Sequence, residues 1–519
     1  MASSRTIIVA GAGIGGLTVA LTLANAGFRV IVLEQAERLE EAGAGLQLSP
    51  NAARILVSLG LGGQIADHAI APDAIEVGAA SGRMLARIPL GPGAEQRYGS
   101  PYWAIHRADL QSVLRDAVEG HPDIELRLNT RVEDFVTHAH GVTVAAQRNF
   151  RAADERGIAL IGADGLWSPL RGRLGHRTQP EFRNRTAWRA LVSAEYVPER
   201  FRAHRTHLWL GRDAHLVHYP VKSGALINVV AIVSDAEGKP GWNESGHRDD
   251  VLARYPERQW AEPVRAVLSA PQRWAKWSLY DLPPLPRWGD GPVTLLGDAA
   301  HPMLPFLAQG AAMAIEDAAV LAAQLASMPE DPATAMRLYE KARQPRAARE
   351  EEIGCGIDNV PGSRRVAGRV RDLAVRPQGQ EGDRSDRSRL PPAGMVARWS
   401  VHRRDEVRQL RHRHRDPGRR DRHGAAAGHG RRQVLRAHLV SGRQRPRVPA
   451  GGRRSRGPLA GRGPADRRHL GARRGAGADP GGGSRCRLAP VLVHPGGPAA
   501  GAGHHARSHS GGEIGRAHV

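Results

Sequence analysis

The stretch from Thr6 to Glu34 constrains the fold of this chain more than any other. Residues 6–10 (TIIVA) are apolar or β-branched throughout, the pattern of a strand buried on both faces of a parallel sheet. Gly11-Ala12-Gly13-Ile14-Gly15-Gly16 follows at once, and residues 14–25 then carry apolar side chains at helical spacing. Gly27 is placed to end that helix, and residues 29–33 (RVIVL) read as a second buried strand. Glu34, with Gln35 after it, closes the second strand 21 positions beyond Gly13. A G-x-G-x-x-G turn between strand and helix, with an acid at this distance, is the fingerprint of a dinucleotide-binding βαβ unit. Gly11 permits the tight turn, Gly13 lets a pyrophosphate approach the backbone, and Gly16 allows close helix packing, while the helix N-terminal amides attract phosphate. Glu34 suits ribose hydroxyls and repels a 2′-phosphate. The turn specifies a dinucleotide without saying which.

Helical patterns recur at 51–59 and 107–118, and strand patterns at 124–128, 142–145 and 158–161. From 186 to 233 the texture changes to alternating apolar and polar runs separated by turn residues, which predicts an antiparallel sheet. Buried-strand character returns at 293–296, with helices predicted over 311–325 and 333–349. The expected class is α/β: a Rossmann-like dinucleotide domain formed by 1–73, 101–180 and 285–350, into which a mixed or antiparallel β-sheet substrate domain (74–100 and 181–284) is inserted.

Three further motifs occur in order: His106-Arg107-Ala108-Asp109-Leu110, Gly162-Ala163-Asp164-Gly165, and a run from Gly297-Asp298-Ala299-Ala300-His301-Pro302 through Pro305-Phe306-Leu307-Ala308-Gln309-Gly310 to Glu316-Asp317-Ala318. Together with the glycine turn, they make residues 7–349 resemble the class A flavoprotein aromatic hydroxylases, the family of salicylate, 3-hydroxybenzoate and 6-hydroxynicotinate monooxygenases. The resemblance implies a Rossmann-like FAD domain with an inserted substrate domain. It also implies reduction of FAD by NADH or NADPH, and a flavin C4a-hydroperoxide that hydroxylates a small aromatic acid. By matching motif, Asp298 would bond the ribityl chain, Arg107 would lie beside the ribityl-pyrophosphate region, and Asp164 would serve flavin and nicotinamide binding. The helix starting at Gly310 and Ala311 would aim its amides at the flavin N1 and O2 locus. Gln47, in Gly45-Leu46-Gln47-Leu48-Ser49-Pro50-Asn51, matches a family segment that runs along the cofactor. Asp164 and Asp298 could instead cap turns or helices, and Arg107 could pair with Asp109 on a helix surface.

Such chemistry needs a dry pocket, an anchor for a carboxylate and a base for the phenol proton. In His215-Leu216-Val217-His218-Tyr219-Pro220, residues 215, 217 and 219 share one strand face, so His215 and Tyr219 point to one side and His218 to the other. The pair matches substrate-facing positions of the family, which makes His215 the expected base and Tyr219 the residue that orients the hydroxyl. His301 and Gln309 are expected near the flavin ring as substrate contacts, although His301 could equally be a cap. Arg189, beside Trp188, is the expected carboxylate anchor. The first expected reaction is 3-hydroxybenzoate 6-hydroxylation, followed by salicylate 1-hydroxylation and 6-hydroxynicotinate 3-hydroxylation.

Charge divides the chain. Residues 351–519 contain 36 arginines, no lysine and 14 acidic residues, so the whole net charge of +22 sits there and residues 1–350 sum to zero. Leu, Ile, Val and Phe supply only 25 of these 169 residues, too few to bury a core, so this stretch is predicted to be disordered. A basic tail invites a nucleic-acid-binding reading. Arginine without lysine amid Gly, Ala and Pro is, however, what a GC-rich gene yields out of frame, and the closing Glu513-Ile514-Gly515-Arg516-Ala517-His518-Val519 resembles a translated sequencing adapter. The tail is therefore read as out of frame from about 350–356, and no nucleic-acid partner is expected. Both cysteines, Cys355 and Cys486, lie in it, which leaves residues 1–350 without disulfides or thiolate metal sites. With no signal peptide and no apolar run of roughly 18 residues, a cytoplasmic enzyme is expected, with a homodimer as a possible assembly.

Overall fold

The computed structural model describes residues 5–39, 44–149, 151–236, 238 and 244–358. From residue 359 onward the basic tail, with its predicted disorder, lies outside the described residues.

The first sheet is organised by the buried run Thr6–Ala10. It pairs in parallel with Arg29–Leu33 on one side and Ala159–Gly162 on the other. Ile124–Arg127 extends the sheet beyond the former and Val293–Leu295 beyond the latter, again in parallel, and Gly289–Asp290 closes the edge antiparallel. This is the doubly wound order in which the five parallel strands bring their carboxyl ends to one rim, where such folds bind ligands. The glycine-turn helix, Ile14–Asn25, has almost no polar face and is correspondingly sandwiched between this sheet and the long helix Gly310–Ser327. Close approach of the two helices depends on small residues. An ideal Cβ on Gly15 would fall 3.2 Å from Ala314 Cβ, and Thr22 Oγ1 donates to Ala318 O at 3.2 Å.

The second sheet has eight strands in the order Glu244–His247, Arg273–Asp281, Glu181–Ser193, Leu226–Ser234, Ala214–Val221, Arg205–Leu210, Ala74–Ala79 and Met84–Pro89. All neighbours are antiparallel except Arg205–Leu210 with Ala74–Ala79, so the sheet is mixed. Helices Arg248–Arg254 and Glu262–Ser269 cover one face over a tryptophan-rich core that includes Trp188, Trp209, Leu216, Tyr255, Trp260 and Trp274. The opposite face presents Ala187, Arg189, His215, Tyr219 and Asn228, because register pairs 187 with 232, 232 with 215, and 228 with 219. An antiparallel ribbon, Gly45–Leu48 with Trp103–His106, lies between the two sheets; the spacing of apolar residues does not foretell it. The predicted helices and strands of the first sheet stand within a few residues of their expected ends, except that the last helix runs on from Pro332 to Asp358.

A buried ionic network ties this framework together. Asp317 is fully buried; its Oδ2 accepts from Gly297 N–H at 3.1 Å and contacts His301 Nε2 at 2.6 Å, and its Oδ1 accepts from Arg343 Nε at 2.6 Å. Burial alone would raise the Asp317 carboxyl, but the charges of His301 and Arg343 outweigh it and hold the group at about 2. Adjacent Glu316 accepts from Arg343, Arg346 and Asn51. Removing one partner of such a buried set leaves the others uncompensated. Asp317→Ala is thus expected to cost about 3–5 kcal/mol, read from denaturant unfolding of the flavin-loaded protein. Glu330→Ala, which breaks the exposed Arg5 pair, should stay within about 1 kcal/mol.

Candidate active site

The glycine turn separates what packing requires from what it does not. Gly11 has φ +102°, and an ideal Cβ there would lie 2.4 Å from Ala163 O; one on Gly16 would lie 2.0 Å from Gly11 O. Gly13 is different, since a Cβ would meet nothing within 4 Å. Gly13 is also the N-cap of its helix, and no side chain caps the first-turn amides. A glycine that the protein's own atoms do not demand, at an uncapped helix start, fits an incoming pyrophosphate. Glu34 lies just behind, its two oxygens accepting from the amides of Ala12 (2.7 Å) and Ala36 (2.8 Å), and Gln35 is exposed next to it.

The same rim holds Asp298, which is exposed on the turn after Val293–Leu295. The positive charges of His301 and Arg107 favour the ionised form of its carboxyl. Arg107 opens the helix Arg107–Glu119, and Asp109, two residues on, pairs with Lys222. The helix Gly310–Ser327 also starts without a side-chain cap, its first turn formed by Gly310 and Ala311. Ala308, just before it, holds φ +53°, a left-handed backbone that a non-glycine residue occupies at a cost and that is characteristic of functional turns. Gln309 is fixed beside this start by Ser49, Nε2 donating to its Oγ at 3.0 Å. Two helix starts without side-chain caps, Gly13 and Gly310, thus accompany Asp298 and Arg107 in the candidate site.

Two expected site residues also make structural bonds. His301 is a member of the Asp317 network through Nε2, 4% exposed and packed on Trp288 at 4.8 Å, with its Nδ1 buried without a hydrogen-bond partner. Asp164 acts as a local cap: Oδ2 accepts from Leu170 N–H at 3.2 Å, in the first turn of Pro169–Arg173. Its Oδ1 is nevertheless buried without a hydrogen-bond partner, and burial raises its carboxyl despite the Ser168 and Leu170 bonds.

The inward face of the second sheet supplies the remainder. His215 meets Phe306 edge-on at 5.5 Å, which places it against the loop leading to Gly310. Burial, reinforced by Arg185, depresses its imidazole to about 4, so it is neutral at physiological pH. His218 points to the other face, where Trp209 Nε1 donates to its Nε2 at 3.0 Å. Tyr219 lies four residues from His215, about 13 Å along the strand, and its neighbours are Gln47 and Tyr102. Tyr102 OH donates to Gln47 Oε1 at 2.6 Å, and burial raises both phenols, so each keeps its proton. Arg189 sits in the row between them, its guanidinium 4.3 Å over the Trp277 ring and its Nε buried without a partner. Burial, with Arg107 nearby, lowers it to about 10, still charged at neutral pH. The strand thus separates His215 from Tyr219 and groups Tyr219 with Arg189, Gln47 and Tyr102. Sequence reading missed Tyr102; its position directly before the ribbon strand that pairs with Gln47 was the available signal.

The FAD binding domain family matches residues 4–352. The chain is 38% identical to 3-hydroxybenzoate 6-hydroxylase 1 of Aquipseudomonas alcaligenes over 346 residues, 66% of this chain and 86% of that protein. It is 39% identical to a 3-amino-4-hydroxybenzoate 2-monooxygenase of Streptomyces platensis over 66% of this chain and 84% of that one. A salicylate hydroxylase solved as a substrate complex superposes with a TM-score of 0.62 at 26% identity, covering 77% of this chain and 99% of that one.

The glycine geometry makes a direct prediction. Gly13→Ala should leave apoprotein stability unchanged while weakening FAD retention, whereas Gly16→Ala should lower both; flavin content and thermal unfolding of each variant, measured side by side, check this.

Proposed function

The chain belongs to the FAD binding domain family of flavin-dependent aromatic hydroxylases, and from that premise we propose that it hydroxylates a small aromatic acid bearing a ring hydroxyl, 3-hydroxybenzoate first. As in its family, it is an FAD-dependent monooxygenase that draws on a reduced nicotinamide and dioxygen. Bound FAD supplies the hydride acceptor and the oxygen activation; the protein binds, orients and handles the proton.

The observation that carries the substrate class is Arg189. No acidic side chain among the described residues pairs with it, its Nε lacks a hydrogen-bond partner, and Trp277 covers one face of the guanidinium. A partly buried cation without a counter-ion is costly, and an incoming carboxylate supplies what is missing. Tyr219, protonated and in the adjoining row, donates to the same end of the acid. His215 lies at the other end, against the Phe306 loop, as a neutral imidazole able to accept the phenol proton. Gln309, beside the uncapped helix start, contacts the ring or its hydroxyl. On this reading Gly11, Gly13, Gly15, Gly16, Glu34, Gln35, Gln47, Arg107, Asp164, Asp298, Gly310 and Ala311 hold the cofactor. The sheet of 74–100 and 181–284 then acts as the substrate domain on the FAD domain of 1–73, 101–180 and 285–350. Salicylate and 6-hydroxynicotinate offer the same pairing of carboxylate and hydroxyl and remain the other candidate substrates.

No helix among the described residues is long and apolar enough to cross a membrane. We place the enzyme in the cytoplasm, with NADH as reductant, a homodimer as its assembly and no nucleic-acid partner.

The test is substrate-stimulated NADH oxidation with product identification over the three acids. Turnover of none would overturn the reading. Arg189→Gln should raise KM for the acid by the loss of a charge-assisted bond, about 1.5–3 kcal/mol, with a smaller effect on kcat. His215→Gln should lower kcat by about 10²–10⁴-fold, the usual contribution of a general base. Because the free-enzyme imidazole loses its proton at about 4, the base is in its competent form at any higher pH. His215 should therefore impose no acidic limb on kcat/KM between pH 8 and about 5.5. A fall centred near the ordinary histidine range of about 6.5 would contradict this assignment.

A further inference from the structure

Asn228 lies in the middle of the strand Leu226–Ser234, fully buried, between Ile227 and Val229. A buried amide in a run of aliphatic residues needs a reason, since each of its polar atoms must be satisfied. One is satisfied: Oδ1 accepts from the backbone N–H of Gly45 at 2.7 Å. Gly45 belongs to a different part of the chain, the ribbon Gly45–Leu48 with Trp103–His106. That ribbon carries Gln47, is entered through Tyr102 and leads into Arg107, whose N–H donates to Ala44 O at 2.9 Å. On the sheet side, register places Asn228 directly opposite Tyr219. This side-chain bond, together with the one between Gln47 and Tyr219, joins the ribbon bearing Gln47 and Tyr102 to the strand pair bearing Tyr219.

The contact is also too close for any other residue at position 45. An ideal Cβ on Gly45 would lie 2.6 Å from Asn228 Cγ and 2.7 Å from Tyr219 Cε2. The ribbon backbone at Gly45 rests on these two side chains, next to the Gln47–Tyr219 bond. Meanwhile Asn228 Nδ2 is buried without a partner, a penalty that a residue serving only the sheet would avoid by being aliphatic.

We propose that Asn228 is a positioning residue for hydroxylation: by holding Gly45 it sets the spacing between Gln47–Tyr102 and Tyr219–Arg189, and so the seat of the acid relative to the cofactor. The proposal rests on the functional reading above. A seat that is loose by a fraction of an ångström lets reduced cofactor react with dioxygen while the ring is misaligned, and reducing equivalents are then lost as hydrogen peroxide instead of product.

The test uses flavin-loaded full-length protein and compares Asn228→Leu, which removes the acceptor at similar volume, with Asn228→Asp, which keeps it. Two quantities are measured: hydroxylated product formed per NADH at saturating 3-hydroxybenzoate, salicylate or 6-hydroxynicotinate, and hydrogen exchange of the 44–49 segment. For Asn228→Leu the expected result is a fall in product per NADH to half or less, a KM raised several-fold and faster exchange in 44–49. Asn228→Asp should restore both coupling and protection. Wild-type coupling, wild-type KM and unchanged exchange in the Leu variant would overturn the proposal, even if its melting temperature had dropped. If the wild-type enzyme itself turns over none of the three acids, the functional reading fails. The exchange measurement then decides the clamp alone: faster exchange in the Leu variant with recovery in the Asp variant supports it, and no difference overturns it.

Discussion

The carboxylate of Asp317 is the constraint on which the geometry of this protein depends. A charge with no solvent exposure persists only if it is paired and hydrogen-bonded. Here the answers come from three places: the backbone of Gly297, the ring of His301 and the guanidinium of Arg343. The turn that presents Asp298 is therefore locked to the helix Gly310–Ser327, and that helix to the last one. Glu316, one residue earlier, extends the lock in the opposite direction through Asn51, whose neighbour Ser49 holds Gln309. Two adjacent acids on one helix thus fix both the turn and the helix start proposed to hold the flavin. The same network accounts for the histidine of the Gly297–Pro302 motif. Burial would lower the His301 ring, but the carboxylate beside it dominates and raises it, consistent with a charged partner inside the network.

How far the sequence could be read follows from the range of the interactions involved. The glycine turn, its two strands and its helix are legible because each is set by neighbours a few residues away: Gly11 by its own φ, Gly16 by the carbonyl of Gly11. The facing of His215 and Tyr219, with His218 turned away, is legible for the same reason, since strand parity is a local rule. The ribbon at Gly45–Leu48 is not, because its register depends on residues 103–106, far along the chain. His301 illustrates the other limit. Its motif placed it near the cofactor, but its partner Asp317 is reached only after the left-handed turn at Ala308 reverses the chain, and no spacing rule foretells that bond. Asp164 shows both outcomes in one residue, one oxygen capping Leu170 as a bland turn residue would and the other buried without a partner.

Charge explains why the proposed substrate and the proposed base belong together. In the free protein the wall formed by Arg107 and Arg189 is cationic, Tyr102 and Tyr219 hold their protons, and His215 is kept neutral by burial and by Arg185. An imidazole at about 4 is by itself a poor acceptor for a phenol proton. The deficit arises because a charged ring would be desolvated in the neighbourhood of other cations. On the proposed reading the acid brings the anion that this wall lacks. Its carboxylate neutralises Arg189, and a phenolate forming beside His215 stabilises the imidazolium by direct attraction, which raises the ring's proton affinity at the moment the proton is transferred. A neutral aromatic of the same shape would gain the packing against Trp277 and Phe306 but neither electrostatic effect. Discrimination in favour of a hydroxylated acid is then built into the unpaired cation and the uncharged base as a pair.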